Sequence, residues 1–155
     1  GNIAKWEEEL ENMQIIDNPV KGSINSTNKV LVYEDKGSQQ YANIRYYLAS
    51  DNSISFDLTN ANKVTLDVYM PSADLTGSQD NKLWLKLQNG NKERPWEGQI
   101  TKEQSVELDK WQRLTFDFSD QSSATEFTRM LVQFNGENNF DSVKAYIDNV
   151  FIPVS

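Results

Sequence analysis

Cysteine and histidine are both absent from the 155 residues. Without cysteine there is no disulfide framework and no thiolate metal site, so stability has to come from packing, with a hard cation as a further aid. Without histidine, Ser/His and Cys/His nucleophilic arrangements and the usual zinc sites are excluded. No apolar run approaches the ~18–20 residues of a membrane span, so membrane insertion is not expected. The opening Gly1-Asn2-Ile3-Ala4 lacks the basic and apolar regions of a signal peptide, as expected of a mature or excised piece. There is no glycine-rich phosphate loop either, since Asn89-Gly90-Asn91 reads as a turn. Basic residues are outnumbered by acidic ones, 15 to 23, and the resulting net charge of -8 sets up a field that repels nucleic acid.

What remains suits a neutral, hydroxyl-rich partner. Asn, Gln, Ser and Thr make up 48 of the residues and aromatics 11%. Amide and hydroxyl groups supply directed hydrogen bonds, and flat rings supply surfaces on which the C–H faces of a sugar can stack. The same polar content also suits the faces and loops of any extracellular β-protein.

The apolar pattern has period two over most of the chain, which predicts an all-β, two-sheet antiparallel sandwich or jelly roll in one domain spanning 1–155. In Val64-Thr65-Leu66-Asp67-Val68-Tyr69-Met70 the aliphatic side chains face one way, with Asp67 and Tyr69 on the other side. Leu83-Trp84-Leu85-Lys86-Leu87-Gln88 repeats this, placing Trp84, Lys86 and Gln88 together opposite the leucines. Leu114–Phe118, Met130–Phe134 and Tyr146–Ile152 read as further strands, with shorter candidates at Met13–Asp17, Lys29–Glu34, Ile44–Leu48, Ile54–Phe56 and Val106–Leu108. One segment breaks the pattern. Ala4-Lys5-Trp6-Glu7-Glu8-Glu9-Leu10 is rich in helix formers and predicts a short N-terminal helix capped by Asn2, with Trp6 packed on the sheet.

Three segments, in order, resemble a known family. They are Ile16-Asp17-Asn18-Pro19-Val20-Lys21-Gly22-Ser23-Ile24-Asn25-Ser26-Thr27-Asn28-Lys29-Val30 followed by Tyr41-Ala42-Asn43, then Trp111-Gln112-Arg113-Leu114-Thr115-Phe116-Asp117-Phe118-Ser119, then Tyr146-Ile147-Asp148-Asn149-Val150. Together they resemble the jelly-roll modules attached to glycan-degrading and glycan-capturing proteins of Bacteroidetes, similar in fold to carbohydrate-binding module families 4 and 22. The chain departs from that pattern twice: an Asp-Phe-Glu-like opening strand is missing, and Tyr41 stands where a tryptophan is usual. The resemblance implies a secreted or cell-surface location, membership of a larger multidomain protein, and a neutral β-glucan ligand, with laminarin-type β-1,3-glucan first. It also implies a structural calcium held by Asp148, backbone carbonyls and an acid from the N-terminal strand. The residues agree on Asp148, a charge in a strand otherwise suited to burial, which a cation would neutralise.

The candidate ligand-binding residues are Trp84, Lys86 and Gln88 on one strand face, and Tyr69 on the corresponding face of its own strand. Trp96, Glu93 and Arg94 join them from the turn-rich segment 91–98, and Tyr41 from the resembling motif. Trp96 has no alternation to bury it, and a loop tryptophan exposed at some desolvation cost marks a binding surface. Trp111, just ahead of an alternating strand, reads as core. No catalytic residues are expected. Glu93 with Glu97 as a glycosidase pair, and Tyr69 with Arg94 as a lyase pair, are the enzymatic alternatives, and neither carries a motif. A structural spacer or protein-interaction domain is the other alternative, and the solvent exposure of Trp84 and Trp96 separates it from a binding module.

Overall fold

The computed structural model describes residues 5–9 and 12–152. Ten strands among them form two five-stranded antiparallel sheets. The first contains, in spatial order, β1 (Lys5–Glu9), β4 (Asn43–Tyr47), β9 (Arg129–Phe134), β6 (Lys82–Gln88) and β7 (Ile100–Ser105). The second contains β2 (Asn12–Asp17), β3 (Lys29–Asp35), β10 (Val143–Phe151), β5 (Lys63–Tyr69) and β8 (Trp111–Asp117).

Period-two alternation explains the core between them. Leu83, Leu85 and Leu87 of β6 are fully buried and meet Met130 and Val132 of β9 and Ile44 of β4. Val64, Leu66 and Val68 of β5 and Ala145 and Ile147 of β10 complete the layer from the other sheet. Each large aliphatic chain buried in this way contributes about 1.5–3 kcal/mol. Tyr33 is the polar exception: its hydroxyl donates to the Ala42 carbonyl at 3.1 Å, and its ring meets Phe134 edge-on at 4.9 Å.

The expected N-terminal helix is corrected: Lys5–Glu9 is an edge strand, paired from Lys5 with Tyr47 through Glu9 with Asn43. Helix propensity over so few residues is worth a few tenths of a kcal/mol each and cannot offset nucleation, whereas the open edge of β4 offers a ready row of backbone partners. Asn2 and the Trp6 side chain, which carried the cap and packing expectations, lie outside what is described. Two short strand candidates are also corrected. The Ile54–Phe56 and Val106–Leu108 segments are connectors, although Phe56 and Val106 still plug the core and anchor their backbones to Phe127 at 2.8 Å and Asn81 at 2.9 Å. Conversely β7, with sequence Ile-Thr-Lys-Glu-Gln-Ser, has almost no apolar alternation because it is an exposed edge.

Outside the second sheet, the segment between β2 and β3 folds back as a cover. Asn18 and Asn28 close it by a backbone bond of 2.9 Å, and Gly22 and Asn25 by one of 2.7 Å. Beneath it Trp111, Tyr146, Val30 and Val32 form a separate small apolar cluster. Trp111 is thus buried as expected, but outside the main core.

Candidate functional site

The alternation that sends the leucines of β6 inward sends Trp84, Lys86 and Gln88 outward, onto the outer face of the first sheet. Register then builds rows across that face. Arg45, Leu131, Lys86 and Thr101 stand in one row, and Tyr47, Arg129 and Gln88 in the next. Gln133 stands opposite Trp84 in a third. These rows floor a groove of about 680 Å³. Tyr41 and Glu137 approach it from the loops ahead of β4 and after β9, and Trp96 and Gln99 from the loop between β6 and β7.

The floor is a connected polar network. Gln88 donates from Nε2 to Oε1 of Gln99 at 2.6 Å and accepts on its own Oε1 from Nε of Arg129 at 2.8 Å. Arg129 donates again, from Nη1 to the Tyr47 hydroxyl at 3.0 Å, with its guanidinium 5.6 Å from the centre of the Tyr47 ring. Lys86 has a side chain only 3% exposed and an ammonium 2.5 Å from the Glu137 carboxylate. Gln133, itself buried, donates to the Tyr41 carbonyl at 3.4 Å while its Oε1 has no partner among the described residues. A buried acceptor left open in a groove is a place for a ligand hydroxyl or a water.

Two rings rise from this floor, Trp96 at 60% and Tyr41 at 50% exposure. Successive tight turns hold Trp96 out: Lys92 N–H donates to the Asn89 carbonyl at 3.2 Å and Glu97 N–H to the Arg94 carbonyl at 2.9 Å.

Of the residues singled out from sequence, Tyr41, Lys86, Gln88 and Trp96 come together in the groove. Trp84 shares the face but is half-buried under the loop after β9, so its reading as an exposed platform is corrected. At Gly136 a Cβ would meet the Trp84 ring at 2.7 Å, and the backbone φ of +72° suits glycine as well, so the loop can lie directly on the indole. Tyr69 is not brought to the groove. It lies on the outer face of the second sheet, 5.7 Å from the Trp111 ring and 6.0 Å from Tyr146. Glu93 and Arg94 are exposed in the β6–β7 loop without lining the groove, and Arg94 sits 3.5 Å from Glu97. The lyase pair is thereby split between the two sheets, and Glu97, one half of the glycosidase pair, faces a cation.

Sequence reasoning missed Asn43, Arg45, Arg129, Leu131 and Gln133. The parity of their strands carried the signal, since each occupies a position alternate to a core residue. Gln99 and Glu137 come from loops whose course no local pattern reveals.

Asp148 stands elsewhere, under the cover of the second sheet. Its Oδ2 accepts from Asn25 Nδ2 at 2.9 Å and from the Thr27 hydroxyl. The adjacent Asp67 is held by Arg113, Asn25 and Asn149. These neighbours aim N–H and O–H donors at the carboxylates, whereas calcium needs six to eight oxygens. Among the described residues no group of three or more His, Cys, Asp or Glu side chains gathers to hold a metal. The described surroundings of Asp148 therefore do not fit the ion, and no role is derived through it.

No protein-family model and no curated protein matches the chain. Solved structures do. A carbohydrate-binding module specific for non-crystalline cellulose, CBM28, superposes with a TM-score of 0.58 at 12% identity over 96% of this chain and 86% of that one. The C-terminal family 22 carbohydrate-binding module of Clostridium thermocellum Xyn10B gives 0.56 at 14%, covering 96% and 84%. The glycoside hydrolase domain structure of Endo-D from Streptococcus pneumoniae R6 gives 0.59 at 12% over 95% of this chain, which spans only 20% of that structure's length. The fold is that of the jelly-roll carbohydrate-binding modules. Among the described residues, no helix is long and apolar enough to cross a membrane.

Proposed function

We propose that the chain is a non-catalytic polysaccharide-binding module that works outside the cell or on its surface as one part of a larger protein. The observation that carries this is the groove on the first sheet, where exposed Trp96 and Tyr41 rise beside a hydrogen-bonded floor of amides and cations. Rings to stack on sugar faces and fixed donors and acceptors for hydroxyls are the two requirements of glycan capture. Two of the modules that share the fold bear names that describe carbohydrate binding. The exposure of Trp96 speaks against an inert spacer, which would gain nothing from 60% exposure of an indole. Within this reading the neutral β-glucan expectation, laminarin first, is one arm of a test by affinity electrophoresis on soluble polysaccharides, with reaction products checked after long incubation. Retardation without product supports binding alone.

Trp96→Ala should weaken binding of whichever polysaccharide is retarded by about 5- to 150-fold, the loss of one stacked ring. Its melting temperature should move by no more than a few degrees, because so exposed a ring contributes little to the core. Unchanged affinity would place the site away from this groove.

Calcium rests on the family resemblance and on the charge of Asp148 in its strand, and comes down to one measurement. An ion bound to the folded chain would make chelation lower the melting temperature, with calcium restoring it. An unchanged curve would leave Asn25, Thr27, Arg113 and Asn149 as the partners of Asp67 and Asp148 among the described residues.

A further inference from the structure

Building on the reading of the groove as a glycan site, we infer that its glycan is acidic, a uronate-bearing polysaccharide whose carboxylate meets Arg129. Among the described residues that line the groove, three cations, Arg45, Lys86 and Arg129, stand against one acid, Glu137, in a chain where acids outnumber bases 23 to 15. Lys86 is matched by Glu137 at 2.5 Å, and Arg45 stands opposite Glu7 in the strand register, so both are set aside. Arg129 differs. Its Nε and Nη1 donate to Gln88 Oε1 at 2.8 Å and the Tyr47 hydroxyl at 3.0 Å, both neutral, and among the described residues no carboxylate pairs with it.

A half-buried cation with no counter-charge has lost hydration that neutral acceptors only partly replace. The rest of its donor fork carries no protein bond among the described residues. The fork is also aimed, because the string Gln99–Gln88–Arg129–Tyr47 fixes it from both sides. A planar, pre-oriented guanidinium matches a carboxylate in two parallel bonds, a geometry that a single hydroxyl cannot fill. The open acceptor on Gln133 lies four residues along β9, roughly 13 Å away, so it serves a different sugar unit of the same chain. The overall charge of -8 does not forbid this, since exposed charges beyond a screening length of about 10 Å at 0.1 M salt are largely masked.

The test is calorimetric titration with polygalacturonate, alginate and glucuronoxylan, each paired with its carboxyl-reduced form, and with laminarin. At least one acidic polymer should bind about ten- to a hundredfold more tightly than its reduced partner, the value of a charge-assisted bidentate contact, and the advantage should shrink as salt rises. Arg129→Gln should bring that ratio close to one, and Arg129→Lys, which keeps the charge but not the fork, should retain only part of it. Should Arg129→Gln fail to fold, the wild-type ratio, its salt dependence and Arg129→Lys still decide. Equal binding of acidic and reduced forms, laminarin bound in preference to every acidic polymer, or an undiminished ratio in a folded Arg129→Gln overturns the inference and leaves glycan binding standing. Failure to bind any of these polymers overturns both.

Discussion

Replacing Trp111 with alanine is expected to cost roughly 3–5 kcal/mol of folding stability, the usual penalty for deleting a large buried ring. The indole is 7% exposed, lies 5.7 Å from the Tyr69 ring, and donates its N–H to the Val20 carbonyl. Its loss opens a cavity under the cover between β2 and β3 and leaves the Val20 carbonyl without its donor, so the cover should loosen along with the cluster. In a domain of this size the melting temperature should fall by about 6–20 °C. Because the groove lies on the other sheet, glycan affinity measured well below that temperature should match wild type. Urea unfolding paired with binding titration checks both halves. A stability loss under 1 kcal/mol would show that the cluster beneath the cover is not a second core.

The next largest effect is expected at Arg113. Its guanidinium holds the fully buried carboxylate of Asp67 by two bonds, 2.8 Å to Oδ1 and 3.2 Å to Oδ2, and is itself half open to water. Burial is the largest single influence on Asp67 and pushes its pKa upward. The bonds from Arg113, Asn149 and Asn25, with the charge of Arg113, together outweigh it and hold the group below its ordinary 3.8. Arg113→Ala leaves a buried carboxylate with two amides and no cation, at a cost of roughly 3 kcal/mol, the low end for a broken buried pair because the arginine is half exposed. The sign of the pH dependence follows. A carboxylate whose pKa is lowered by folding adds stability that is fully present above its unfolded value and lost as pH falls through the folded one. The gap between wild type and Arg113→Ala should therefore be widest near neutrality and close below about pH 4. A gap that stays constant down to pH 2 would mean that the ionised form of Asp67 is not what Arg113 stabilises.

Which parts of this molecule could be read directly from its residues follows from how far each signal reaches along the chain. Leu83 to Gln88 alternates so strictly that the inner leucines and the outer Trp84, Lys86 and Gln88 are separated by local chemistry alone, as the buried leucines confirm. Likewise Trp96, in a polar turn-rich segment, had no inner face to join, and it stands exposed at the groove. β1 and β7 lacked such a signal. Edge strands owe their conformation to the backbone partner beside them, so Glu-rich Lys5–Glu9 and polar Ile100–Ser105 look like helix and loop until β4 and β6 are put in place.

Period-two patterning determined that this chain forms two layers and which side chains each strand turns outward, because a strand's two faces are set by neighbours only two residues apart. Only the tertiary structure decided which outward faces meet. Asp67 and Tyr69 have the same outward parity as Lys86 and Gln88, yet the sheet order sends β5 to one side of the sandwich and β6 to the other. It is the pairing of β6 with β9 and of β9 with β4 that sets Arg129 between Gln88 and Tyr47, where no carboxylate among the described residues pairs with it. Such pairings join residues 41 to 88 positions apart, and each is won by the free energy of the whole fold.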